Sequence, residues 1–317
     1  MCPEIQSQDR LVARILLLCG IAELKHSHIS TKELAELLPD VSEEWLSENW
    51  SSINELGSRY RLSDGIVIPL SEERLVSDTN AREQSIKNIS LALRFLSLSG
   101  TSDIYSAGIS GSTSYFTPKP SDDVDLFCIT ATNGMWFFLF RALLLARFFR
   151  FLYSKEPEIT LALTMDYKYA SGEFSRRHDA LFARDALQAL QIYGRANYKS
   201  LLLKASWISR FYPKLYSDKL NKLAENEDSI SFRSHTRGNT PLNLFLRLLL
   251  GNYIRLRSWS TDRRLAARGK SYARFRIRMN VDHLFYESIQ YLKLRSMYFS
   301  LFSKDNQSPT EHLNPGQ

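Results

Sequence analysis

Three aspartates fall within four residues in the stretch GISGSTSYFTPKPSDDVDLFCIT, residues 108–130. They are Asp122, Asp123 and Asp125, and an apolar run follows them at once. Carboxylates packed so closely repel one another, so the loop must either be fully solvated or expect a cation. Asp123 and Asp125 are two apart at the edge of an expected strand, which sends both side chains to one face. Two carboxylates on one face can share a hard cation, which takes oxygen ligands. Asp122 lies one residue earlier, points elsewhere, and reads as a solvated turn residue. Upstream, Gly111 lets a backbone approach a phosphate with no Cβ in the way. Ser112 adds a hydroxyl and an N–H at the start of a short helix, where partial positive charge collects.

The pattern Gly111-Ser112, ten residues, then Asp123-Val124-Asp125-Leu126 resembles the signature of the polymerase-β-like nucleotidyltransferase superfamily. The closest resemblance is to bacterial and archaeal stand-alone nucleotidyltransferase-domain proteins with a helical region behind the domain. The run DVDLFCIT, an apolar helix punctuated by arginines, a strand ending in Asp166 and ARDALQALQIY follow in that family's order, over residues 104–212. The resemblance implies transfer of a nucleoside monophosphate from an NTP to an acceptor hydroxyl, with release of pyrophosphate. It implies Mg²⁺, or Mn²⁺ in its place, held by Asp123, Asp125 and a third carboxylate from a later strand. The matching position is Asp166, and Glu158 at that strand's start is the other candidate. Gly111 and Ser112 would hold the β and γ phosphates. Family members act on small molecules, proteins and RNA. One departure stands out: Ala162 sits within the third strand where a polar residue is expected. The alternative is a non-catalytic nucleotide-sensing or partner-binding protein that keeps the fold.

The elements that must position these residues are legible from patterning. An α/β fold is expected, with a small mixed-sheet core at 101–175. Its strands are IYSAGIS, VDLFCIT and EITLALTMDYKY, with a helix over 135–153 between the last two. Arg141, Arg147 and Arg150 interrupt that helix, which argues for a buried helix rather than a membrane span, and no membrane partner is expected. In front, residues 1–70 read as a winged-helix-like module. Ser30 and Glu33 form a capping-box spacing. A single helix is expected from Ser42 to a stop at Gly57, and Asp64-Gly65 marks a hairpin. Residues 71–100 read as a connecting helix, 176–303 as a helical region with a polar connector over 217–241, and 304–317 as a disordered tail.

Charge is divided between the two ends. Residues 1–100 hold 10 Lys and Arg against 15 Asp and Glu, whereas the remainder holds 31 against 19. The expected third helix of the front module carries Glu43, Glu44, Glu48 and Glu55 and no cation, the wrong sign for a DNA groove. A protein partner is expected for that module instead. The segment 247–278 holds ten basic residues and one acid, Asp262, with Tyr253, Trp259, Tyr272 and Phe275 interleaved. Arginine with aromatics suits single-stranded nucleic acid. RNA, with tRNA foremost, is the expected acceptor, contacted by Arg263, Arg264 and Arg268. Cys2, Cys19 and Cys128 show no C-x-x-C spacing, and the N-terminus has no signal-peptide pattern. A cytoplasmic, reducing location is therefore expected.

Overall fold

The structure is a computed structural model that describes residues 3–24, 28–38, 41–71, 78–114, 118, 122–152, 156–176, 178–225, 240–268 and 275–302. The expected tail lies outside the described residues, as do residues 226–239 of the polar connector.

The front of the chain runs α1 (Pro3–Leu24), β1 (Ile29–Ser30), α2 (Thr31–Leu37), α3 (Glu43–Asn49), α4 (Asn54–Gly57), β2 (Tyr60–Ser63) and β3 (Ile66–Pro69). The capping box is formed: Glu33 N donates to Ser30 Oγ, and Ser30 N donates to Glu33 Oε2 at 2.8 Å. Asp64 and Gly65 both take positive φ, 51° and 73°, which matches the right-handed twist of a two-residue hairpin. The single helix expected from Ser42 is in fact two. Trp50 turns into the core and donates its indole N–H to Tyr60 O, and Ile53 goes extended at ψ 99° before α4. The three strands pair antiparallel in the order β1-β3-β2.

α5 (Asp78–Ser99) leads into a six-stranded mixed sheet ordered β7-β4-β5-β6-β9-β8. Its strands are β4 (Ile104–Ile109), β5 (Val124–Thr130), β6 (Ile159–Asp166), β7 (Leu190–Tyr193), β8 (Phe275–Met279) and β9 (His283–Ser288). Among the described strands only β5 and β6 run parallel, joined by α7 (Met135–Leu152). The remaining helices are α6 (Gly111–Ser114), α8 (Tyr167–Ser175), α9 (Ala180–Gln188), α10 (Arg195–Lys204), α11 (Pro213–Glu225), α12 (Thr240–Ala267) and α13 (Ile289–Phe302).

The region expected to be purely helical supplies half of the sheet. FRIRM alternates arginine with apolar residues, a strand period, and hairpins onto β9. β9 and α13 both lie in that region and follow one another without a connecting loop. They divide at Ser288, whose hydroxyl accepts from Tyr291 N and caps α13. The polar connector is likewise helical as far as Glu225, because Leu215, Leu220 and Leu223 share a face that packs on the core.

Two apolar layers cover the sheet. Leu126 and Cys128 pack under α5, α7 and α12. Phe127, Ile129 and Met165 face the other way, beneath α8, α9, α10 and α13. That second core does not stop at residue 70. It continues through Ile15, Leu18, Leu34 and Trp50. Arg10 and Arg14 both donate Nε–H to Leu301 O at 3.0 Å, so cations of α1 meet the negative end of α13.

Candidate active site

The β4–β5 pairing assembles the first half of the site. Ile109 stands opposite Leu126, and Ser110 N donates to Asp125 O at 2.9 Å. Gly111 therefore emerges against the Asp125 side chain with φ +69°, a conformation that favours glycine. A Cβ at this position would lie 2.8 Å from Asp125 Oδ2. Asp125 is held from the other side by β6. Thr160 is its parallel partner and donates Oγ–H to Asp125 Oδ1 at 2.6 Å.

Around this pair sit three more acids. Asp123 is exposed. Partial burial of its carboxyl, then repulsion from Glu158, Asp125 and Asp122, raises its pKa from the ordinary 3.8, with Arg150 opposing. Glu158 accepts from Val124 N through its backbone carbonyl at 2.8 Å, which fixes it beside the strand start. Its Oε1 meets Arg150 Nη1 at 3.1 Å in a solvent-exposed pair. Asp122 is more than a solvated turn residue: its Oδ2 accepts from Ser112 Oγ at 2.9 Å. That contact ties the Gly-Ser turn to the acidic loop.

Asp166 is not brought to this cluster. The β5–β6 register sets it opposite Thr130, five residues beyond Asp125 and so about 17 Å along the strands. Asp166 is 4% exposed and is the N-cap of α8. Oδ1 accepts from Tyr169 N at 2.9 Å and Oδ2 from Asn133 N at 3.4 Å. Burial raises its pKa, and those backbone N–H groups oppose the rise. The reason it misled is the parallel crossover. β6 enters the sheet at the same end as β5, so the acid at its start, Glu158, is the near one.

Ala162 also has a physical role. The β5–β6 register advances from Leu126–Leu161 to Phe127–Leu163, which leaves Ala162 as the extra residue of a bulge. Thr160, absent from the sequence-based candidates, replaces the expected polar residue two positions earlier. The signal in the sequence was a hydroxyl two residues after Glu158 in an apolar run; its register with Asp125 comes from the strand pairing alone.

Beyond the bulge the sheet opens. β9 pairs with β6 only at Leu163, Thr164 and Met165. Among the described residues no strand lies against 159–162 on that side. A cavity of about 2060 Å³ passes through this wedge and is lined from both faces of the sheet, by Phe127 and Ile129 on one and Leu139 and Ile254 on the other. Gly111, Asp123, Asp125, Glu158 and Thr160 lie on its wall, as do Arg147 and Arg257. Arg263, Arg264 and Arg268, the expected acceptor contacts, do not. Arg263 stacks on the Trp259 ring at 4.0 Å and Arg264 bonds Ser260.

Among the described residues no three His, Cys, Asp or Glu side chains are gathered closely enough to hold a metal as they stand. The donor set nevertheless suits a hard cation. It is all oxygen, it repels itself, and Gly111 leaves open the space a Cβ would fill beside Asp125. No helix among the described residues is long and apolar enough to cross a membrane. Compared with protein-family models, curated proteins and solved structures, the chain finds no match in any of the three.

Proposed function

We propose that the chain is a metal-dependent nucleotidyltransferase that moves a nucleoside monophosphate from an NTP to an acceptor hydroxyl and releases pyrophosphate. The observation that carries the reading is the contact between a positive-φ glycine and one carboxylate of a closely spaced pair, Gly111 against Asp125. Such a turn admits a phosphate where a cation on Asp123 and Asp125 would meet it.

Asp123 and Asp125 would hold Mg²⁺ or Mn²⁺, with Glu158 as the third carboxylate once Arg150 releases it. When bound, the ions lower the pKa of the attacking hydroxyl and neutralise the leaving pyrophosphate. The protein's own work is positioning and charge. Thr160 holds Oδ1 of Asp125, which leaves Oδ2 aimed at the Gly111 turn. Ser112 anchors the acidic loop through Asp122, and its N–H and that of Gly111 would receive the β and γ phosphates. Arg150 stands beside Glu158 and can exchange its partner for a phosphate oxygen. The acceptor hydroxyl would arrive through the wedge beside β6. An RNA acceptor suits the basic back half, with Arg147 and Arg257 on the cavity wall nearest to its phosphates. The front unit, winged-helix-like in its element order, is proposed to contact protein and not DNA.

Incubation with each labelled NTP, Mg²⁺ and total cell extract tests this. One fraction should become labelled, and Asp125→Ala should abolish the label. Unchanged labelling by that variant would sink the assignment. A second reading is favoured by one observation: Asp166 is remote and Arg150 pairs with Glu158, so neither candidate for the third carboxylate stands open beside Asp123 and Asp125. Binding of NTP without turnover by any fraction would select that reading, a nucleotide-sensing protein.

A further inference from the structure

α12 is amphipathic in an inverted sense. Its inner stripe, Leu246, Leu250 and Ile254, is buried on the sheet. Its outer stripe is apolar too. Phe245, Leu248, Leu256 and Trp259 are each more than half exposed. Their spacing of three, eight and three residues keeps them on one side of the helix. The end of α7 adds Phe148 and Phe151, the latter 83% exposed. Arg147 Nη2 donates to Tyr253 OH at 2.9 Å and draws the two helices together, so their apolar surfaces adjoin. Scattered apolar side chains are ordinary on a protein surface, but a continuous row marks a docking site.

The charges around the row select its occupant. Arg255, Arg263, Arg264 and Arg268 are exposed on the same helix or just past its end, and Asp262 is the one acid between Thr240 and Arg268. A second copy would bring the same arginines and the same single acid to the face, and so no counter-charge for them. RNA would satisfy the arginines and Trp259, yet leave Leu248, Leu256 and Phe151 against a polar backbone. An anionic lipid surface satisfies both sets. Leucine and phenylalanine enter the acyl boundary, arginines reach lipid phosphates, and tryptophan rests at the headgroup level. Trp259, stacked beneath Arg263 at 4.0 Å, already has that arrangement.

We propose that the outer face of α12, with the end of α7, docks the protein peripherally on an anionic lipid bilayer. The surface is separate from the acid pair, so it stands or falls independently of nucleotidyl transfer.

The test is co-sedimentation of the full chain with phosphatidylcholine vesicles and with vesicles containing about a third phosphatidylglycerol. Binding should require phosphatidylglycerol and weaken with salt. Replacing Arg255 and Arg263, which share the side of the row, by glutamine should weaken it about thirtyfold. Leu248→Ser with Trp259→Ser should also release the protein, with Phe151→Ser as a second variant should the first melt early. These side chains are exposed, so an unchanged thermal transition should accompany the loss. Failure to bind phosphatidylglycerol vesicles at low salt overturns the proposal, as does binding indifferent to both apolar variants. A doubled mass in solution that the apolar variants halve would assign the face to a second copy. Tight RNA binding lost in those same variants would assign it to nucleic acid.

Discussion

Thr160 donates its hydroxyl to Asp125 Oδ1 across the β5–β6 pair at 2.6 Å, which leaves Oδ2 facing Gly111. This one bond decides which oxygen of the carboxylate is turned to the Gly111 side. Thr160→Val keeps the β-branched shape and removes the donor. Transfer should fall about tenfold through weaker Mg²⁺ binding, with a higher Mg²⁺ midpoint, and Thr160→Ser should recover most of it. A Mg²⁺ titration of pyrophosphate release separates the three proteins. Equal midpoints would remove Thr160 from the site.

Gly111→Ala must place a Cβ 2.8 Å from a carboxylate oxygen and hold φ at +69°. The expected cost in stability is about 1–2 kcal/mol, measured by denaturant unfolding. Transfer should be lost altogether, because the methyl takes the space a phosphate would need. A variant that is destabilised yet fully active would mean the turn has only a folding role.

Asp123 should make stability depend on pH. Its folded pKa is raised, so the carboxyl binds its proton more readily in the folded chain than in the unfolded one. Above the raised value both states are ionised and the fold bears the cost of a partly buried carboxylate that its acidic neighbours also repel. As pH falls through that value towards the ordinary 3.8, that cost disappears. Asp123→Asn should therefore melt higher than wild type at pH 7, and the difference should vanish in acid. A constant difference at every pH would assign the gain to something other than charge.

Asp166 separates positioning from chemistry. Asp166→Ala removes the cap of α8 and should cost about 1 kcal/mol, while Asp166→Ser, which keeps a capping oxygen, should cost less. Neither should change the Mg²⁺ dependence of transfer. A selective loss of transfer with unchanged stability would return Asp166 to the catalytic group.

A shortened chain that begins at α5 should not fold as the full chain does. Removing α1 to β3 uncovers the face that joins Ile15 and Leu18 to the helices beyond the sheet. Dye binding to exposed apolar surface should rise and the unfolding transition should broaden. A sharp native-like transition would show that the front unit is a separate domain.

The acid pair and its glycine were legible because local spacing sets them. Two aspartates two apart, and a turn before a strand, need no knowledge of the partner strand. Which acid of β6 lies beside Asp125 was not legible, because only strand direction tells whether the start or the end of β6 is near. The resemblance offered Asp166 first and Glu158 second, and the register sets Glu158 near the pair and Asp166 far from it. β8 was open to reading, since Arg276 and Arg278 alternate with Ile277 and Met279, but the basic run drew attention to charge instead of period. The break at Ile53 has no composition signal. It follows from where Trp50 finds its hydrogen bond, a tertiary fact.

Arg10 and Arg14 reach Leu301 O, and the first of these bonds spans 291 positions. A ribosome extending at about 5–20 residues per second needs about 15–60 s to deliver that carbonyl after α1 has emerged. Through that interval α1 has its own helical turns but not α13. Synthesis from the N-terminus therefore cannot complete this fold in instalments. α1 can pack on β1 and α4 early, but its side facing α13 stays open until the end, and a chain released early betrays itself by that uncovered stripe, the surface that chaperones and proteases recognise.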